Sequence, residues 1–141
     1  MVIYTYFVQI GSSYSFTGEC SAGYHCIGGS STKTPVDNIT GQICPRGKFC
    51  IQGTETPENC PPGTFSNVTG LRGKNECLPC TPGMFCDRPG LTKPYGRCSS
   101  RYYCKGGALV PTPNDTITGG RCTTGHYCPI GSSTPLPCEV S

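Results

Sequence analysis

The sequence predicts a small disulfide-rich fold of β-hairpins and turns with almost no helix, drawn out as an elongated tandem array with a 78-residue super-repeat. Three observations carry that expectation. Shifting Cys98–Cys138 back by seventy-eight positions lays it on Cys20–Cys60 without a gap, with 19 identities over 41 positions. Self-similarity at a fixed period marks an array in which each unit leans mainly on its neighbours. Leu, Ile, Val and Phe together supply 24 of the 141 residues, about 17%, below the roughly 20% at which an oily core becomes doubtful. The chain carries 13 cysteines, close to the roughly 8–10% of a disulfide scaffold. Cross-links stand in for the missing core.

Residues 1–19 contain no cysteine. Val2 to Ile10 combines β-branched and aromatic residues and reads as a strand. An apolar strand with no clamp is an open edge, so Val2, Ile3, Tyr4, Tyr6, Phe7, Val8 and Ile10 are candidates for docking on a neighbouring chain or module, with packing on the same chain as the plain alternative. The seventy-eight-residue shift places Val2 on Cys80 and Val8 on Cys86, as if two cysteines had been replaced together. The segment lacks the basic start of a signal peptide, and the expectation is a mature chain.

From Cys20 onward one motif recurs, Cys-x-x-Gly-x-aromatic-Cys: at Cys20–Cys26, Cys44–Cys50, Cys80–Cys86, Cys98–Cys104 and Cys122–Cys128, with a sixth copy in which Ser66 replaces the second cysteine of the Cys60 frame. The copies divide the chain into residues 1–19, 20–43, 44–59, 60–79, 80–97, 98–121 and 122–141. Glycine in the fourth place allows a positive φ and a tight turn. Arg101 breaks that rule, so its copy is expected to turn differently. The aromatic is expected to cover the sulfurs of its module. Between motifs, Gly/Thr/Pro stretches such as 28–35 and 131–137 leave room only for short hairpins and turns.

Connectivity is not readable from one sequence in general, but the repeat narrows it. If each short ring closes on itself, the bonds are Cys20–Cys26, Cys44–Cys50, Cys80–Cys86, Cys98–Cys104 and Cys122–Cys128. Cys60, deprived of a near partner, then takes Cys77, and Cys138 is left unpaired as the repeat equivalent of Cys60, its partner expected beyond the end of the sequence. The rival scheme closes the longer loops, 26–44, 50–60, 86–98, 104–122 and 128–138, bonds Cys77 to Cys80 and leaves Cys20 open. A seven-residue ring is worth about 2 kcal/mol by loop-closure entropy.

Candidate chemistry is sparse. Cys77-Leu-Pro-Cys80 has the spacing of a zinc knuckle or redox dithiol, yet no second pair or thioredoxin-like context accompanies it, so two structural half-cystines are expected there. His25 occupies the aromatic slot of its motif and His126 the place before that slot, and both are expected to be surface or slot fillers. Asp37 and its equivalent Asp115 stand beside sequons, where a weak calcium site is conceivable. No acid pair has general acid-base spacing, and neither an enzyme nor a metal nor another cofactor is expected. Three sequons, at Asn38, Asn67 and Asn114, precede glycines that lead to the next cysteine, and N-linked glycans are expected on each. A net charge of +3 without a basic cluster, and no tryptophan, argue against nucleic acid. No apolar run approaches the roughly 18 residues of a membrane span.

The stretch Cys60-Pro-Pro-Gly-Thr-Phe-Ser-Asn-Val-Thr-Gly-Leu, ending in Cys77-Leu-Pro-Cys80-Thr-Pro-Gly-Met-Phe-Cys86, resembles the cysteine-rich ephrin-receptor-like repeat of secreted CUB-EGF proteins and giant surface proteins. It is loosely similar to tumour-necrosis-factor-receptor modules. The resemblance covers residues 20–138 and implies extended β modules outside the cell, with no catalytic residues to transfer. The expectation is an extracellular structural glycoprotein, a cell-surface or secreted segment whose partners are copies of itself or neighbouring repeats in a head-to-tail fibre or filament. The alternative is an adhesive or receptor-type ectodomain that binds a protein ligand; a toxin or protease inhibitor, normally a single compact knot, fits less well.

Overall fold

The computed structural model describes residues 5–10 and 13–139. Every sheet in it is a two-stranded antiparallel hairpin, and the sole helical element among the described residues is one 3-10 turn at Lys74–Glu76. The fold is the small, disulfide-rich, nearly helix-free class that the composition predicts.

The chain divides into two compact units, residues 1–60 with 66–77, and residues 61–65 with 78–141. In the first, β1 (Thr5–Ile10) pairs with β2 (Ser13–Glu19). After it, β3 (Tyr24–Cys26) pairs with β4 (Gly41–Ile43), and β5 (Lys48–Phe49) with β6 (Glu58–Asn59). In the second, β7 (Thr64–Phe65) pairs with β8 (Leu78–Pro79), and β9 (Met84–Phe85) with β10 (Gly96–Arg97). Then β11 (Tyr102–Cys104) pairs with β12 (Gly119–Arg121), and β13 (His126–Tyr127) with β14 (Leu136–Pro137). From β3 onward the rule is uniform: residues at the end of one motif pair with those just before the first cysteine of the next.

The N-terminal segment corrects one expectation. Its strand is not isolated, because β2 covers one edge of β1 from Thr5↔Glu19 to Ile10↔Ser13, with an irregularity between Tyr6 and Phe7. Of the candidate docking residues, Tyr6, Phe7, Val8 and Ile10 lie in this hairpin, whereas Val2, Ile3 and Tyr4 lie outside the described residues.

The six disulfides are Cys20–Cys26, Cys44–Cys50, Cys60–Cys77, Cys80–Cys86, Cys98–Cys104 and Cys122–Cys128, and Cys138 is free and exposed. These are the short rings with Cys60 reaching Cys77, the first of the two schemes, and not the longer loops. Half-cystines dominate the buried apolar residues, and nine of them are no more than 1% exposed.

The aromatic of a motif does not serve its own ring. Phe49 clusters with Cys60, Leu71 and Cys77, so it covers the disulfide of the following motif. Phe65 clusters likewise with Cys80 and Cys86, and Phe85 packs against Cys98, Cys104 and Ala108. Antiparallel pairing explains the offset, since it lays the end of one motif beside the beginning of the next. The small apolar centres therefore lie between successive motifs, and burial couples them.

Candidate functional site

Since no motif has a core of its own, the joint between motifs is the unit that matters, and its backbone is built identically at each copy. The fourth residue of a motif donates its N–H to the carbonyl of the residue that ends the next motif: Gly23 to Cys50 (2.8 Å), Gly47 to Ser66 (3.0 Å), Gly63 to Cys86 (2.8 Å), Gly83 to Cys104 (2.9 Å) and Arg101 to Cys128 (2.8 Å). Its carbonyl accepts from the first cysteine of that next motif, from Cys44 to Gly23 through Cys122 to Arg101. One turn residue thus holds both ends of the following motif, a closed ring in every copy but Cys60–Ser66. A second pair of bonds joins each ring to the loop beyond the next motif: Cys26 donates to Thr54 and Gly53 to Cys20, while in the copy seventy-eight residues later Cys104 donates to Ser132 and Gly131 to Cys98.

Glycine is needed at these turns for two reasons. The backbone lies in the left-handed region, with φ of 87° at Gly23, 85° at Gly63 and 84° at Gly83. A Cβ would also meet a backbone carbonyl, Gly70 at 2.8 Å from Gly23, Gly107 at 3.0 Å from Gly63 and Gly131 at 2.5 Å from Gly83. Arg101, expected to turn differently, does not: its φ is 74° and its two bonds are those of the glycine copies. Hydrogen bonds on both sides of the residue hold arginine in a conformation it would otherwise avoid.

Gly125 keeps one half of this geometry. Gly125 accepts from Cys138 (2.9 Å), but its N–H has no acceptor among the described residues, and a Cβ there would meet nothing within 4 Å. Tyr127 is 50% exposed where Phe49 is 6% exposed. An open groove beside it is lined by Arg101, Arg121 and His126 among others.

The sequon loops are the other candidate site. Asn38, Asn67 and Asn114 are all exposed. In the first loop Asp37 gathers Ile39 N–H (2.9 Å), Thr40 N–H (2.8 Å) and the Thr40 hydroxyl (2.7 Å). Asp115 gathers the matching donors of Ile117 (2.9 Å) and Thr118 (both 2.6 Å). Hydrogen bonds to the charged form hold both carboxyls below their ordinary value, the threonine hydroxyl contributing most. Pro35 and Pro113 are fully buried beneath these loops.

The remaining candidates fall as follows. Cys77 and Cys80, adjacent in the sequence motif, belong to different disulfides. His25 is buried, its Nδ1 3.1 Å from the Glu55 carbonyl oxygen, whereas His126 is exposed. No group of three His, Cys, Asp or Glu side chains suited to a metal ion exists among the described residues. Ser66, which stands where a cysteine is expected, is buried and its hydroxyl donates to the Val68 carbonyl (2.9 Å). Sequence reasoning missed the role of Ser66 as a turn cap, although a hydroxyl two residues before a loop is its known signal.

No family model matches the chain, and no curated protein does.

Proposed function

We propose that this chain is a segment of an extracellular structural glycoprotein in which disulfide-closed motifs follow one another in series and build a cell-surface or secreted fibre through head-to-tail contact between copies or neighbouring repeats. The observation that carries the reading is the repeated joint, in which the turn residue of one motif bonds both ends of the next, from Gly23 through Arg101. A one-directional contact of this kind generates open filaments. Six disulfides fit an oxidising compartment, and no helix among the described residues is long and apolar enough to cross a membrane. Catalysis, metals and diffusible cofactors form no part of the reading, and the covalent additions are glycans at Asn38, Asn67 and Asn114.

Negative-stain imaging of protein purified from its source tests the reading: beaded filaments are expected, and discrete monomers would contradict it.

A second reading, an adhesive or receptor-type ectodomain, is favoured by Ile39 and Ile117. They sit at equivalent loop positions and are 79% and 81% exposed. Monomers that lose binding to a protein ligand when both are changed to Ser would favour it.

A further inference from the structure

The three sequons share a consensus but not a geometry. N-linked transfer joins Asn Nδ2 to the anomeric carbon of an oligosaccharide carried on a lipid diphosphate. The sugar–phosphate bond breaks, the amide nitrogen loses a proton, and the lipid diphosphate leaves. The transferase reads the hydroxyl two residues after the asparagine, and so needs that hydroxyl free and the local backbone able to conform to the enzyme.

In the folded chain Thr40, the hydroxyl partner of Asn38, donates to the Asp37 carboxylate at 2.7 Å, and its N–H is held by the same carboxylate at 2.8 Å. Asn38 itself is locked at φ 62°, and its N–H is bound to the Gly41 carbonyl (3.1 Å). Thr116, the partner of Asn114, donates its hydroxyl to the Asp115 carbonyl at 2.6 Å and stands at φ 62°. Its N–H is bound to the Gly119 carbonyl at 2.9 Å. The third sequon differs on every count. Among the described residues the Thr69 hydroxyl and N–H have no hydrogen-bond partner, and no residue of Asn67–Thr69 has a positive φ. The local bonds there belong to Ser66 and Val68.

We infer that folding closes Asn38 and Asn114 to N-glycosylation and leaves Asn67 open, so that the two hairpin glycans are installed before the disulfides close and the Asn67 glycan can be added to the finished fold. This rests on the glycoprotein reading above.

The test uses the unglycosylated chain, oxidised with six disulfides or reduced and alkylated, with purified oligosaccharyltransferase and a lipid-diphosphate oligosaccharide, and peptide mass spectrometry to read each site. Reduced chain should be modified at all three. In oxidised chain the initial rates at Asn38 and Asn114 should fall about tenfold or more, the scale of breaking one hydrogen bond to a charged or strongly held group, while Asn67 keeps most of its rate. Asp37→Ala in oxidised chain should raise Asn38 occupancy and leave Asn114 unchanged. Equal rates at the three sites in oxidised chain, or no gain at Asn38 in a six-disulfide Asp37→Ala variant, would overturn the inference; should the variant not fold, the wild-type comparison alone decides. A reduced chain unmodified at every site would overturn the glycoprotein reading as well.

Discussion

Arg101 donates its backbone N–H to the Cys128 carbonyl at 2.8 Å, the bond that Gly23 makes to Cys50 at the same length, although one turn is built on arginine and the other on glycine. The joint therefore fixes the local conformation even against side-chain preference. A non-glycine residue in left-handed backbone costs about 1–2 kcal/mol, and restoring glycine adds back roughly 0.4–1 kcal/mol of unfolded-chain entropy. Arg101→Gly should leave the joint intact and raise stability by up to about 1 kcal/mol in denaturant unfolding. A clear loss of stability would show that the arginine side chain holds the turn.

Gly83 and Gly125 separate strain from collision. Both have positive φ, 84° and 88°, but only at Gly83 would a Cβ strike a backbone carbonyl, that of Gly131 at 2.5 Å. Gly125→Ala should cost only the conformational strain, about 1–2 kcal/mol. Gly83→Ala should cost about 2–5 kcal/mol, strain and overpacking together. Equal costs would mean that the close approach is relieved elsewhere.

Phe49 packs on Cys60 and Cys77, not on the ring that ends at Cys50. Phe49→Ala should destabilise by about 3 kcal/mol, the usual cost of emptying a buried aromatic site. It should also expose one particular disulfide. Partial reduction followed by alkylation and mass spectrometry should find Cys60–Cys77 reduced faster than in the parent chain and Cys44–Cys50 unchanged; acceleration at Cys44–Cys50 alone would contradict the offset packing.

Asp37 and Asp115 confer an acid sensitivity of defined sign. Their carboxyls are held below the ordinary value by hydrogen bonds from Thr40 and Thr118. A depressed carboxyl contributes stability that is complete above its unfolded value, about 3.9, and is lost as pH falls through the lower folded value. Urea midpoints measured downward from about pH 5 should fall in the parent chain and fall less in an Asp37→Asn, Asp115→Asn double variant. Since both loops are exposed, the effect is small and confined to acid; an identical profile in the double variant would remove these loops from the acid response.

What the sequence disclosed and what it hid divide along a physical line. Features fixed by covalent spacing were legible: the 78-residue period, the turn at Gly23 and its equivalents, and the Cys60–Cys77 bond that follows when Ser66 replaces a cysteine. Features set by contact between motifs were not. Nothing in the spacing of Phe49 says which disulfide it covers, and the Gly70 carbonyl that requires glycine at position 23 lies forty-seven residues away. The strand β2 escaped notice because Ser13–Glu19 is largely polar and its partner looked like a free edge. The sequons could be read as letters, but the capture of the Thr40 hydroxyl by Asp37 belongs to the folded loop.

Non-reducing peptide mapping of the native protein measures the premise of the whole joint, that every motif with two cysteines closes on its own ring, Cys60 takes Cys77, and the turn residues are left to hold the next motif. Linked peptides should pair Cys20 with Cys26, Cys44 with Cys50, Cys60 with Cys77, Cys80 with Cys86, Cys98 with Cys104 and Cys122 with Cys128. A peptide linking Cys26 to Cys44, or free thiols at these twelve positions, would contradict it.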